Sequence, residues 1–188
     1  IQQLLLGVSA RRSQSYWDKI DDDPTILRGS FNGSSWTWQP VGAIAPNEDK
    51  SRGGGRYFNI YSIAVNPSNS KELFFMTEKG LYKGTLTANH TITKFKLVIA
   101  GLPDKNVIHG GKIIFDPVDK NIAYLTALNL YIVEGERAAG GVFKSKDSGK
   151  SWQKLSGGLD TENSNYFDIV LDSKDHQKVY VAQSTNEI

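Results

Sequence analysis

The chain reads Ser145-Lys146-Asp147-Ser148-Gly149-Lys150-Ser151-Trp152 at residues 145–152, and this stretch decides its fold. Short strand-like segments flank it, at 141–144 and 152–155. Asp147 is a residue type that accepts backbone N–H groups in turns, and Gly149 can take the positive φ that a tight turn requires. The stretch therefore predicts a β-hairpin in which Ser145 ties the turn to the strand and Trp152 is buried.

The segments around this hairpin recur along the chain. Three strand-like segments begin 57 residues apart: Trp38-Gln39-Pro40-Val41, Phe95-Lys96-Leu97-Val98 and Trp152-Gln153-Lys154-Leu155. Three others match upstream: Ile63-Ala64-Val65-Asn66-Pro67, Ile113-Ile114-Phe115-Asp116-Pro117 and Ile169-Val170-Leu171-Asp172-Ser173. A repeat of about 50 residues with four short strands is typical of a β-propeller blade. Trp38, Phe95 and Trp152 are therefore predicted to be equivalent core residues.

The repeat predicts an all-β fold, part of a β-propeller with about three four-stranded antiparallel blades. With strands labelled A to D from the axis outward, the hairpin at 145–152 joins strands C and D. The segments of the single unit 1–188 are a partial blade 1–42, a blade 60–100, a blade 112–157 and a partial blade 167–188. Propellers typically close with four to eight blades. We therefore expect a fragment of a larger propeller, with the remaining blades in the same or another chain.

The stretch 145–152 fits the pattern S-x-D-x-G-x-x-W and resembles the Asp box of bacterial-neuraminidase-type (BNR) repeats. Residues 60–183 also resemble the propellers of sortilin-type receptors and xyloglucan-active glycoside hydrolases, notably in the segments 63–69 and 80–82. The resemblance implies a structural box on the outer side of the blade, made by Ser145, Asp147, Gly149 and Trp152. It also implies that ligands bind at the other end of the blade, near the axis.

Composition excludes several classes of function. The net charge is only +2, and the lysines are scattered, which argues against a nucleic-acid partner. No stretch approaches the length of a transmembrane helix. The chain has no cysteine and only three histidines, so no disulfide, thiolate site or histidine-based metal cluster is supported, and neither a metal nor a cofactor is predicted.

Two N-glycosylation sequons occur, Asn32-Gly33-Ser34 and Asn89-His90-Thr91. Both lie in predicted turns between strands C and D, at the outer edge of a blade. Together with the family resemblance, Asn32 and Asn89 favour an extracellular or cell-surface location.

Function is expected in the loops at the ligand-facing mouth of the propeller. These are the D-to-A loops 42–60, 100–111 and 156–167 and the B-to-C loops 10–24, 78–79 and 127–140. The candidate ligand-binding residues in or beside them are Trp17, Arg56, Tyr57, His109, Glu134, Arg137 and Tyr166.

Each candidate has a chemical and a structural interpretation. Arg56 and Tyr57 follow a glycine run that could cradle an anion, although a surface turn has the same composition. Glu134 could act as acid or base on a glycosidic bond, or simply be solvated. Trp17 could stack on a sugar or pack on a blade edge, and His109 is more often structural at such a position.

Two functions remain open from the sequence. One is a non-catalytic extracellular or cell-surface propeller that binds protein or glycan. The other is a segment of a xyloglucanase-like glycoside hydrolase, which needs two carboxyl groups about 5–5.5 Å or 6.5–9.5 Å apart. The segment holds at most one candidate pair, so the catalytic residues stay unknown and the question of enzyme activity stays open.

Overall fold

The computed structural model describes residues 2–8, 25–43, 60–77, 80–103, 110–128, 140–160 and 164–185. These residues form thirteen β-strands and contain no helix. The all-β prediction is thus confirmed for the described part of the chain. Within the same residues there is no helix that could cross a membrane.

The strands form four antiparallel sheets, each a meander in chain order. Sheet 1 contains β1 (Gln2–Val8), β2 (Thr25–Phe31) and β3 (Trp36–Ala43). Sheet 2 contains β4 (Ile60–Val65), β5 (Glu72–Thr77), β6 (Gly80–Leu86) and β7 (Ile92–Leu97). Sheet 3 contains β8 (Ile113–Phe115), β9 (Ala123–Ala127), β10 (Gly141–Ser145) and β11 (Gln153–Leu155). Sheet 4 contains β12 (Ser164–Leu171) and β13 (Val179–Thr185).

Apolar clusters fill the spaces between successive sheets. Phe74, Met76 and Leu81 of sheet 2 pack against Leu125, Phe143 and Trp152 of sheet 3. Similar clusters join sheet 1 to sheet 2 and sheet 3 to sheet 4. This face-to-face stacking of antiparallel sheets, two of them four-stranded, is the arrangement of propeller blades, and the chain forms part of a β-propeller.

The second strands of sheets 2 and 3 are buried on both faces. In β5, Phe74 faces sheet 3 while its neighbour Phe75 packs with the cluster toward sheet 1. Successive side chains of a strand point to opposite faces. Both faces of an inner blade are covered, so β5 and β9 are buried almost continuously instead of alternating between buried and exposed residues.

Trp38, Phe95 and Trp152 hold the same register position but differ in burial. Trp38 pairs with Gly29 and Phe95 with Gly84, and the pair Lys144–Gln153 brings Trp152 opposite Ser145. Phe95 packs in the cluster toward sheet 1, and Trp152 in the cluster toward sheet 2. Trp38, by contrast, is 41% exposed.

The prediction of three equivalent core residues is therefore wrong for Trp38. The aromatic residue at this position faces the preceding sheet in the chain, and no described sheet lies on that side of sheet 1. Val170 and Tyr180 are exposed at the opposite end of the arc, where their equivalents Ile114 and Tyr124 pack against sheet 4. Both end faces thus have the character of blade interfaces, which implies further blades or partners beside them.

Candidate ligand-binding site

The sheets have two distinct ends, which we call the turn face and the mouth. The turn face carries the turns that follow β4, β8 and β12, together with the turn 145–152. The mouth carries the starts of β4, β8 and β12, the first strands of sheets 2, 3 and 4, which we call the innermost strands. The residues at these starts are Tyr61, Gly111, Lys112, Phe167 and Asp168. A strand of six residues spans about 20 Å, so the two ends are well separated.

Asn66, Asp116 and Asp172 cap equivalent turns on the turn face. The Asn66 side chain accepts the Ser68 N–H, and the Asp116 carboxylate accepts those of Val118 and Asp119. Asp172 accepts the N–H groups of Lys174 and Asp175 in the same way. The prediction that these three residues cap turns is confirmed.

The turn 145–152 is organised around the Asp147 carboxylate. Asp147 Oδ1 accepts the N–H groups of Lys150 at 3.1 Å and Ser151 at 2.9 Å, and it accepts the Ser145 hydroxyl at 2.8 Å. Ser145 Oγ in turn accepts the Gly149 N–H at 2.8 Å, and Gly149 has a φ of +81°. These bonds close the hairpin from within.

The same turn also fastens sheet 3 to sheet 2. Ser148 Oγ lies 3.2 Å from Ser68 Oγ of sheet 2 and donates to the Lys120 carbonyl at 3.1 Å. A Cβ on Gly149 would lie 2.8 Å from the Phe74 ring, so the glycine lets the turn approach sheet 2 closely. The backbone N–H of Trp152 donates to the carbonyl of Ala100, which follows sheet 2 in the chain, at 3.0 Å. The turn is therefore a contact between blades rather than a free hairpin.

We expect Asp147→Ala to lower the free energy of unfolding by about 1–3 kcal/mol. It removes a charged acceptor from the N–H groups of Lys150 and Ser151 and leaves the part-buried Ser145 hydroxyl without that partner. Asp147→Asn keeps the Oδ1 acceptor and should cost less. Burial raises the pKa of Asp147, but hydrogen bonds from Ser151, Ser145 and Lys150 outweigh it and lower the pKa. Its stabilisation is thus present at neutral pH and lost as the pH falls through the lowered pKa. Urea unfolding of both variants at pH 7 measures the effect.

The position of Asp147 on the turn face also separates stability from ligand binding. Folded Asp147→Ala protein should bind any ligand of the mouth as the unsubstituted protein does. Loss of binding with an unchanged unfolding curve would instead place the site at the turn 145–152.

The mouth contains a recurrent irregularity of the innermost strands. In sheet 2, Ile60 pairs with Thr77 and Ser62 with Met76, so Tyr61 is an extra, bulged residue. In sheet 4, Tyr166 pairs with Gln183 and Asp168 with Ala182, which makes Phe167 the extra residue. Bulges re-aim side chains and are common beside functional sites.

The register makes these residues equivalent across blades. Ile63, Ile113 and Ile169 pair with Phe75, Leu125 and Val181 at the same place in their sheets. The residues two positions before these isoleucines, Tyr61, Gly111 and Phe167, are therefore equivalent. The residues one position before them, Ser62, Lys112 and Asp168, are equivalent as well.

Polar contacts join the innermost strands of neighbouring blades at this level. Ser62 Oγ accepts the Ile113 N–H at 3.2 Å, and Lys112 Nζ lies 2.6 Å from Asp168 Oδ1. The hydrogen bond from Lys112 is the main reason that the pKa of Asp168 is lowered. A shallow groove of about 440 Å³ runs from Ser62 and Lys112 between β4 and β8 toward Pro67 and Pro117.

Most of the ligand-binding residues suggested by the sequence lie outside the described residues, namely Trp17, Arg56, Tyr57, His109, Glu134 and Arg137. Tyr166 is described, and its ring is fully buried in the cluster between sheets 3 and 4. Its hydroxyl donates to the Asp160 carbonyl at 2.8 Å. Burial and the nearby Asp160 raise the pKa of Tyr166. This geometry gives Tyr166 a packing role and does not offer its ring to a ligand.

The residues at the mouth were missed from the sequence, although a signal existed. Tyr61, Gly111 and Phe167 stand two positions before the repeated isoleucines. The bulges that set them apart depend on pairing with the next strand, which the sequence does not display.

Wherever the pKa of a described carboxyl group is shifted, it is lowered. These groups are Glu72, Asp116, Asp147, Asp168 and Asp172. For Glu72, Asp116 and Asp147, burial alone would raise the pKa, but hydrogen-bond donors outweigh it. A catalytic acid at neutral pH needs a raised pKa. None of these five groups meets that requirement.

Both sequon asparagines are exposed, in the turns β2–β3 and β6–β7. The Asn32 side-chain oxygen accepts the N–H groups of Ser34 and Ser35 at 3.0 Å and 2.9 Å. Asn32 therefore organises its turn much as Asp147 organises the turn 145–152.

No protein-family model matches the chain, and no curated protein matches it either. Solved structures do match. An ancestral GH74 enzyme has 23% identity and a TM-score of 0.52, over 86% of this chain and 21% of that one. YCF48 from Cyanidioschyzon merolae has 16% identity and a TM-score of 0.54, over 88% of this chain and 43% of that one. The chain thus spans less than half of either protein, and at these identities the likeness shows the propeller fold alone.

Proposed function

We propose that this chain is part of a non-catalytic propeller module that binds a protein or a glycan at its mouth. The observation that carries the proposal is the state of the described carboxyl groups. Asp116, Asp147 and Asp172 accept N–H groups of their own turns, and Asp168 contacts the ammonium of Lys112. They stabilise turns and blade contacts, and none is prepared to donate a proton to a glycosidic bond.

The proposal includes an Asp box of the BNR type at 145–152. Its support is the hydrogen bonding of Asp147 and Ser145, the positive φ of Gly149 and the burial of Trp152. The shorter turn at 32–35, organised by Asn32, is proposed as a degenerate copy. Both would be structural parts of blades like those of the sortilin-type propellers.

An extracellular or cell-surface location is part of the same proposal. The exposed side chains of Asn32 and Asn89 would accept glycans without disturbing a blade core. Removal of N-glycans from the native protein should reduce its mass, and Asn32→Gln with Asn89→Gln should abolish that reduction. An unchanged mass on glycosidase treatment of the native protein would count against glycosylation at these two sites.

A glycoside hydrolase segment is the second candidate, favoured by the likeness to the ancestral GH74 enzyme. The two functions differ in one measurement. As a binding module, the polypeptide should migrate more slowly in native gels that contain a polysaccharide ligand and should release no reducing ends from that polysaccharide. Release of reducing ends from xyloglucan that Glu134→Gln abolishes would establish the hydrolase instead.

A further inference from the structure

Several aromatic side chains of the described residues are exposed, for different reasons. Trp38 and Tyr180 occupy positions whose equivalents in other sheets are covered by a neighbouring blade. A further blade would bury them in the same way. Tyr61 differs, because sheets 1 and 3 already lie on both sides of sheet 2 and it is still 44% exposed. Its exposure therefore belongs to the mouth and not to an uncovered end of the arc.

Phe167 repeats this arrangement two blades further on. It is the bulged residue at the position equivalent to Tyr61 and is 50% exposed. The same bulge at the same place thus carries an exposed aromatic residue in two blades. Partly exposed aromatic side chains repeated beside a bulge are typical of a recognition surface.

The blade between them has a glycine at this position, and it can hold nothing larger. Gly111 has a φ of +91°, and a Cβ there would lie 1.9 Å from the Thr126 carbonyl oxygen. A Cβ on the adjacent Gly110 would lie 2.7 Å from Leu128 Cδ1 and 3.8 Å from the Tyr61 ring, so both side chains flank the glycine pair. Along the innermost strands, Tyr61 is thus followed by a glycine pair packed against Leu128 and Thr126, and then by Phe167.

A charged pair lies beside these glycines. Lys112 follows Gly111, Asp168 follows Phe167, and their charged groups are in contact. Both side chains remain accessible, with 35% of Lys112 and 55% of Asp168 exposed. The ammonium has three donors and the carboxylate several acceptor sites, so each retains hydrogen-bonding capacity beyond the pair. The pair offers donors and acceptors together with no net charge.

We propose that the mouth binds a neutral carbohydrate, with pyranose rings stacked on Tyr61 and Phe167. Hydroxyl groups of the sugar hydrogen-bond to the Lys112–Asp168 pair. This inference rests on the proposed binding function and names its ligand class.

Other ligand classes fit these groups less well. An anionic ligand would compete with Asp168 for Lys112, which is already in contact with it. An apolar peptide side chain would cover the ion pair without replacing its water, at a cost in free energy. A sugar has an apolar ring face for the aromatic residues and hydroxyls for the charged groups.

Titration calorimetry of the full polypeptide with cellohexaose, mannohexaose and chitohexaose tests the inference. We expect at least one hexasaccharide to bind, and Tyr61→Ala or Phe167→Ala to weaken it about tenfold, the loss of one stacked ring. Tyr61→Trp should retain binding, because it keeps a stacking surface. Val118→Ala, on the exposed turn face, is the control and should not change the affinity.

A second measurement guards against misfolded variants. Saturation-transfer NMR on the unsubstituted protein should show sugar ring protons in contact with Tyr or Phe ring protons. Binding that both alanine variants retain would overturn the inference. Binding of a random peptide library but of no hexasaccharide, lost in Tyr61→Ala, would overturn the carbohydrate and leave the binding module intact. Hydrolysis of a bound hexasaccharide, or binding of neither class, would overturn the proposed function as well.

Discussion

Trp152→Ala should lower the free energy of unfolding by about 3–5 kcal/mol, the usual cost of truncating a buried tryptophan. Trp152 is 4% exposed and packs in the apolar cluster between sheets 2 and 3. Its loss would open a cavity at a blade interface that the turn 145–152 also holds together. Urea unfolding followed by circular dichroism measures the change.

Trp152→Phe is the matched control for that substitution. The equivalent position in sheet 2 holds Phe95, so the site accepts a phenyl ring in this fold. The Trp152 indole N–H also finds no acceptor within the described part of the chain. Removing it therefore forfeits no hydrogen bond there, and the cost should stay below about 2 kcal/mol. A loss below about 1 kcal/mol for Trp152→Ala would contradict the assigned burial.

Gly111→Ala should be comparably destabilising, by about 3 kcal/mol or more. The added Cβ would overlap the Thr126 carbonyl, and the backbone has a φ of +91° that alanine rarely adopts. Relieving the overlap would also disturb the hydrogen bonds that join Lys112 to Thr126. Thermal unfolding measures the effect on stability.

Gly157→Ala is the control for Gly111→Ala. A Cβ at Gly157 would meet no atom within 4 Å, and its φ lies outside the strained region. The unfolding temperature of Gly157→Ala should therefore match that of the unsubstituted protein. Equal unfolding temperatures for the two alanine variants would contradict the positive φ of Gly111 and its close approach to the Thr126 carbonyl.

Much of the fold could be predicted from the sequence, because each blade repeats a short-range pattern. The apolar segments at 73–77 and 123–127 and the spacing of 57 residues locate strands without reference to tertiary contacts. The roles of Asn66 and Asp116 also follow from local chemistry, since turn caps bond to N–H groups two or three residues away.

The burial of Trp38 and the composition of the mouth could not be predicted in the same way. Burial at a repeated position depends on which blade lies beside it, and no described blade covers Trp38. The bulges at Tyr61 and Phe167 arise from pairing with strands 16 to 17 residues away, Thr77 and Gln183 marking the partners. Such pairings are set by the assembled sheet rather than by local sequence.

An engineered disulfide tests most directly the central claim, that successive sheets stack as propeller blades through the turn 145–152. Ser68 Oγ and Ser148 Oγ lie 3.2 Å apart across the interface of sheets 2 and 3, although the residues are 80 positions apart. The chain has no cysteine of its own, so Ser68→Cys with Ser148→Cys introduces a single thiol pair. We expect this pair to oxidise readily within one chain, with a mass loss of about 2 Da and no free thiol. The pair Ser68→Cys with Ser156→Cys, at opposite ends of the sheets, should stay reduced under the same conditions. If the variant with Ser68→Cys and Ser148→Cys keeps both thiols, or forms disulfides only between different chains, the stacked-blade arrangement is contradicted.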